Sequence, residues 1–160
     1  MQDPVREIAP TQYSKLHLAH AHFDAACKAF LSDGHPAVVI TLAGVAEEIY
    51  GQALLQGFGV VGDHPAPRFV DEIVRFGAEK GDSRNEQQIK QFLYEAKNGV
   101  KHARDIKEMV SIEPAHAWNL LLGAMMNRNR IGIEIQGDAA EVARRIASAL
   151  GRLDDLDGVL

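Results

Sequence analysis

The sequence predicts an all-α fold, a bundle of five to six helices packed up and down around one core. Three observations predict it. Apolar residues recur three and four positions apart through most of the chain, the spacing of one helical face. The segments so marked are closed by glycine, proline and short polar clusters. No two alternating apolar runs are joined by a hairpin-type turn. A chain of 160 residues, 46% apolar, suits a single domain spanning 1–160. Residues 1–10, with two prolines, read as an entry segment, and 153–160 as a frayed tail.

Thr11 is the expected N-cap of the first helix. Its stripe is Leu16, Ala19, Phe23, Ala26, Cys27 and Phe30. "SDGHP" closes it, with Gly34 placed for a C′ position and Pro36 for the first turn of the next helix. That second helix, about Pro36 to Gln56, is apolar nearly all round as far as Ala46, which suits a central position. Its small residues Ala43, Gly44 and Ala46 allow neighbours to approach closely. "GFGVVGDHPAP" is a loop. A short helix follows, about Arg68 to Lys80, with Phe69, Ile73 and Phe76 on one side. Ser83 and Glu86 have the spacing of a capping box for the next helix. Pro114 opens another, carrying Trp118, Leu121, Leu122 and Met125. Asp138 and Glu141 form an Asp-led box before a last helix through Val142, Ile146 and Leu150. "MVSIE" and "IGIEI" have strand-like composition but are read as connections.

Net charge is −5 and the pI about 5.8, a bulk charge that disfavours non-specific binding of long nucleic acid but leaves room for a local basic patch. The single cysteine, Cys27, allows no disulfide within the chain and no cysteine-rich metal site. The N-terminal segment has acidic residues and no apolar h-region, and no uninterrupted apolar run approaches the roughly 18 residues of a membrane span. These features predict a cytoplasmic protein with no membrane association. There is no phosphate loop, nucleophile elbow or dinucleotide fingerprint, and no cofactor is expected. In "HLAHAH", His17 and His20 could share a ligand, whereas His22 points roughly 200° from His20. A di-metal bundle calls for Glu and Glu-x-x-His pairs on several helices, and the chain does not supply that set. A metal-binding bundle is therefore the least favoured class, and His20 is read as a residue at the edge of the core.

The stretch "EAKNGVKHARD", Glu95 to Asp105, concentrates the candidate chemistry. At about 100° per residue, Ile89, Phe92, Ala96, Gly99, Ala103 and Ile106 form a core stripe. Gln91, Glu95, Asn98, His102 and Asp105 line one edge. Lys90, Lys97, Lys101 and Arg104 line the other. Asn98 and His102 are i,i+4 and can touch, with Glu95 and Asp105 placed to orient the imidazole. Lys97 and His102 point roughly 140° apart, so one ligand could meet both only where the helix ends or bends, or across a dimer. His102 is either a general acid or base, with Asn98 and Lys97 or Lys101 holding a phosphate, or a helix-edge histidine bonded to a neighbour. Glu48, on so apolar a helix, needs a partner, either His102 or Lys101 or a structural ion pair. The basic edge, extended by Lys107, Arg128 and Arg130, is either an RNA track or a solvated face. It lacks the interleaved aromatics of a single-strand groove.

From about Leu18 to Pro114 the chain resembles a small bacterial family of helical proteins. In that family an N-x-x-K-H-A motif, here Asn98, Lys101, His102 and Ala103, follows a small-residue-rich helix ending in Glu-Ile, here Glu48-Ile49. More remotely, the pattern resembles the HEPN superfamily of α-helical bundles. The resemblance implies a homodimer and RNA or nucleotide binding at a shared cleft, with metal-independent RNase activity in one branch. It would make Lys97, Asn98 and His102 catalytic, with Lys101, Arg104, Glu48, Glu95 and Asp105 as binding residues. Lys97 stands where that branch carries arginine and offers a point charge in place of a planar fork. An alternative from a different class is a non-catalytic scaffold whose groove or dimer binds another protein.

Overall fold

The computed structural model describes residues 11–59, 64–102, 107 and 109–157, with side chains through residue 151. It is all-helical. Six helices follow in order: α1 (Lys15–Leu31), α2 (Pro36–Leu55), α3 (Phe69–Glu79), α4 (Glu86–Lys101), α5 (Pro114–Arg130) and α6 (Asp138–Asp157). No strand occurs among the described residues, and the "MVSIE" and "IGIEI" segments are connections, as the sequence reading has them.

The central helix is α2, packed chiefly against α1 and α5, with α4 across another side. Its 20 residues have the length and mean hydropathy (1.4) of a membrane span, and here they form the middle of the bundle. Ile40, Ala43, Ala46, Tyr50 and Leu54 are fully buried along it. The first four join Ala19, Phe23 and Ala26 of α1, Leu121 and Ala124 of α5, and Val142 and Ile146 of α6 in one core cluster. The expected core stripe of α1 is therefore largely realised, with Leu16 and Phe30 at its margin. Phe76 and Phe92, expected on core faces, are instead 60% and 50% exposed. Each has a cation over its ring, Lys80 for Phe76 and Arg84 for Phe92. The apolar inner positions of α3 and α4 go to Val70, Ile89 and Ala96.

Helix starts and stops follow local hydrogen-bond chemistry, sometimes a few residues from where the sequence places them. Ser14, not Thr11, caps α1, its hydroxyl accepting from the His17 N–H at 3.1 Å. In the turn before α2, Asp33 takes the left-handed conformation (φ 54°), which Asp tolerates better than most residues. Gly34 is required there for closeness. Its N–H donates to the Ala29 carbonyl at 2.7 Å, and a Cβ on Gly34 would lie 2.8 Å from that oxygen. His35 caps α2, with Pro36 in its first turn. Asn85 and Gln88 form the reciprocal box of α4, at 2.9 Å in each direction, in place of the Ser83–Glu86 pair. The reason is upstream: Asp82 binds both the backbone and the guanidinium of Arg84, which commits 82–84 to a turn. The last helix runs on to Asp157, into the segment expected to fray, where no glycine or proline interrupts it after Gly151.

Two glycines separate steric need from helix propensity. Gly34→Ala should cost more than about 1 kcal/mol, because its Cβ would press on backbone that cannot withdraw. Gly151→Ala, exposed in α6 with nothing near a new Cβ, should gain up to about 1 kcal/mol. Urea denaturation of both variants measures the difference in sign.

Candidate functional site

Helix α4 presents two polar faces, and they lead to different places. Tyr94 and Lys97, three residues apart, both point at α2. The Tyr94 hydroxyl donates to Glu47 Oε1 at 2.8 Å. Lys97 Nζ lies 3.2 Å from Glu48 Oε2 and 3.8 Å from Glu47 Oε2, and 5.0 Å from the Tyr94 ring centroid. Glu47 is only 4% exposed, whereas the Glu48 side chain is 56% exposed. From sequence, Glu48 is the carboxylate on an apolar helix expected to need a partner. The buried one is Glu47. It falls on the stripe Ile40, Ala43, Glu47, Tyr50, Leu54, with alternating three- and four-residue spacing that the sequence already shows. Glu48 pairs with Lys97, and Lys101 adds to the field that holds its carboxyl below the usual range.

Small residues make room for this polar layer. A Cβ on Gly44 would lie 3.0 Å from Lys97 Cδ, so the lysine stem crosses α2 there. A Cβ on Gly123 would lie 3.1 Å from Glu47 Cγ, and one on Gly51 would lie 3.0 Å from Arg68 Cδ. Asn127, fully buried, accepts from the Phe69 N–H at 2.8 Å and donates to the Glu47 carbonyl at 3.4 Å, joining α5 to α3 and α2. Beside it Arg68 forks onto Asp71, both bonds 2.9 Å, and Lys90 reaches Asp71 Oδ1 at 3.1 Å. Arg130 closes the layer on Glu72 and the Pro67 carbonyl. Tyr94, Glu47 and Asn127 were not among the expected site residues. Glu47 alone had a signal, its helical phase.

The other face of α4 carries Glu95, Asn98 and His102, which line one groove of about 620 Å³ with the 109–116 segment. The groove exists because α4 stops at Lys101. His102 is its C-cap, with extended backbone (φ −114°, ψ 96°) and its N–H on the Asn98 carbonyl at 3.1 Å. The returning chain lays Val110 on Gly99, where a Cβ would be 2.8 Å from Val110 Cγ1. Across the groove stand Met109, Glu113 and His116. Glu113 and His116 are the chain's one Glu-x-x-His, and its imidazole Nδ1 accepts from the Glu113 N–H at 3.0 Å as a helix cap.

So the structure brings Asn98, His102 and Glu95 together and sends Lys97 elsewhere, into ion pairs under α4. Lys101 is exposed at the helix end. Arg104 and Asp105 lie outside the described residues, as do Ala103 and Ile106. The three histidines of "HLAHAH" diverge. His17 stacks on Tyr13, His20 Nδ1 bonds Tyr50 Oη at 2.7 Å, and His22 Nδ1 bonds the Leu18 carbonyl at 2.7 Å. Among the described residues, no three His, Cys, Asp or Glu side chains converge as a metal site. No family model, curated protein or solved structure shows a significant match to the chain.

Burial raises the Glu47 carboxyl above its ordinary value near 4.5, against the opposing Tyr94 hydrogen bond and Lys97 charge. Between 4.5 and the raised value the folded chain therefore binds more protons than the unfolded one. That contribution to stability is present below the window and lost as pH rises through it. Asp71 has the opposite sign. The Arg68 bond holds it at about 2, so its contribution is present above 3.8 and lost as pH falls toward 2. Glu47→Gln should flatten the fall on the alkaline side, and Asp71→Asn the fall on the acid side, in urea denaturation repeated across pH. Lys97→Met should cost about 3 kcal/mol by leaving Glu47 without its cation. Combined with Glu47→Gln it should cost less than the two single effects added, which a double-mutant cycle measures.

Proposed function

We propose that the protein is a non-catalytic interaction module whose α4 groove takes a partner segment carrying apolar side chains together with lysine or arginine. One observation carries this reading. Glu95 and Glu113 line the groove with no lysine or arginine among its described residues, while Phe92 and Met109 stand 50% and 92% exposed along it. Apolar surface beside uncompensated carboxylates is complementary to a basic, amphipathic segment and repels phosphate. Lys97, the cation a phosphate would need, is held under the helix by two glutamates.

RNA or nucleotide binding with metal-independent cleavage is a second reading, favoured by the presence of Asn98 and His102 in the same groove. In it His102 would move the proton, Asn98 would orient the phosphate, and a second protomer would supply the missing cation. The homodimer and the cytoplasmic location belong to the proposal in either form.

A fluorescein-labelled amphipathic peptide of lysine and leucine tests the first reading, with a glutamate–leucine peptide as control. The lysine peptide should bind, Phe92→Ser should weaken it at least about tenfold, and Glu95→Lys should reverse the preference. Binding that ignores both substitutions, or favours the glutamate peptide, would sink the module. RNA cleavage in EDTA that disappears in folded His102→Ala would establish the second reading instead. A dimer in sedimentation that Phe92→Ser dissociates would make a second copy of the chain the groove's occupant.

A further inference from the structure

Five basic side chains are half-buried among the described residues: Arg68, Lys90, Lys97, Arg128 and Arg130. Four are held by carboxylates, Arg68 and Lys90 by Asp71, Lys97 by Glu47 and Glu48, and Arg130 by Glu72. Arg128 is not. It makes no ion pair and no side-chain hydrogen bond with the described residues. Its Nε is buried without an acceptor, the one buried side-chain polar atom there of which this is true. A guanidinium Nε–H buried without an acceptor is costly, whereas the two outer nitrogens are not buried in this way and are open to a partner from solution.

What surrounds Arg128 is built. Its guanidinium carbon sits 5.1 Å from the Phe23 ring centroid, a cation–π contact that holds the side chain at the α1–α5 seam. Phe23 meets Tyr50 edge-on at 6.3 Å, and the Tyr50 hydroxyl pairs with His20 Nδ1 at 2.7 Å. Tyr50 is fully buried and its hydroxyl has no other partner among the described residues, so its hydrogen is assigned to Nδ1. That leaves the hydrogen of the neutral imidazole on Nε2, which has no acceptor among the described residues. Arg128 and His17 both act on His20 as positive charges, with only Asp24 opposing them. Two donors of different geometry, a planar fork and a single N–H, thus flank one pair of packed rings, Phe23 and Tyr50, at the α1–α5 seam.

We propose that Arg128 and His20 form a binding site for a phosphate group, free or carried on a small molecule. A fork and a separate third donor suit a tetrahedral oxyanion, whereas a planar carboxylate is satisfied by the fork alone. The site is independent of the α4 groove, and neither Glu95 nor His102 takes part in it. Phosphate would dock on the two outer nitrogens of the Arg128 guanidinium and take a hydrogen bond from His20 Nε2, with Tyr50 holding the ring in place.

Imidazole nitrogen NMR of the full chain tests this, with inorganic phosphate titrated at constant ionic strength and adenosine monophosphate and acetate in parallel arms. The His20 Nε2 signal should shift saturably with phosphate and more weakly with acetate. Adenosine monophosphate binding more tightly than phosphate would make a nucleotide the ligand, and equal affinities would make it free phosphate. Arg128→Gln should weaken binding at least about tenfold, the loss of a charge-assisted hydrogen bond. Arg128→Lys, which keeps the charge and the fold but not the fork, should weaken it less. A shift that never saturates, or one of equal affinity in Arg128→Lys and Arg128→Gln and the unaltered chain, overturns the site.

Discussion

A carboxylate in the middle of a helical bundle is the constraint from which most of the remaining architecture follows. Glu47 sits on the inner stripe of α2, between Ala46 and the fully buried Tyr50. A carboxyl there must be hydrogen-bonded, and when ionised also matched by a counter-charge, or the fold loses several kcal/mol. The match comes from α4, through Tyr94 and Lys97, and it fixes both the rotation of α4 and its distance from α2. Close approach then demands glycine at Gly44, where the lysine stem crosses, and at Gly123, opposite the Glu47 stem. Asn127 completes the arrangement by holding the Glu47 carbonyl and the first N–H of α3 together. Four helices are thereby registered by one polar layer inside an otherwise apolar core.

The layer also decides what α4 can show to solvent. Once Tyr94 and Lys97 are committed inward, helical geometry leaves Glu95, Asn98 and His102 on the outer side. Lys97 is spent on internal pairing, while Lys101 stays exposed at the helix end. The described residues that line the outer groove are polar, acidic, imidazole-bearing or apolar, with no cation other than imidazole among them. A groove of that character follows from the burial of Glu47 as much as from its own residues. The early end of α4 has a local cause of the same kind. Gly99 is poor for helix propagation and lacks a Cβ, so Val110 can close on the helix and the chain can turn back.

The all-α architecture was legible because long segments with helical apolar spacing are separated by strong punctuation, and Pro36 and Pro114 open helices where they stand. Caps were less legible where two candidate boxes overlap. "SRNEQQ" contains both Ser83–Glu86 and Asn85–Gln88, and only the Asp82–Arg84 pairing chooses between them. Core stripes misled at Phe76 and Phe92, whose rings have the right phase but whose neighbours are lysine and arginine rather than another helix. The choice between Glu47 and Glu48 was within reach of the sequence, because only Glu47 is in phase with Ile40, Ala43 and Tyr50. The destination of Lys97 was not. It depends on which helix lies across Gly44, and a single chain's periodicity carries no information about packing partners.

Charge placement in this bundle follows a rule with one exception, and the exception is informative. Half-buried cations are paired wherever α2, α3, α4 and α5 meet, so the fold has the means to satisfy a guanidinium when it encloses one. At the α1–α5 seam it encloses Arg128 against Phe23 and pairs it with no carboxylate among the described residues, although the chain has 22 acidic residues and a net charge of −5. Asp24, on the neighbouring helix, is exposed and contributes only through its field. A cation fixed by stacking and left without an anion has a geometry suited to an anion arriving from solution. The acidic groove beside α4 has the reverse character, carboxylates with no lysine or arginine among its described residues. The two regions lie toward opposite ends of α5 and select opposite charges, so a ligand at one should not compete for the other, and each can be removed by substitution without touching the Glu47 layer.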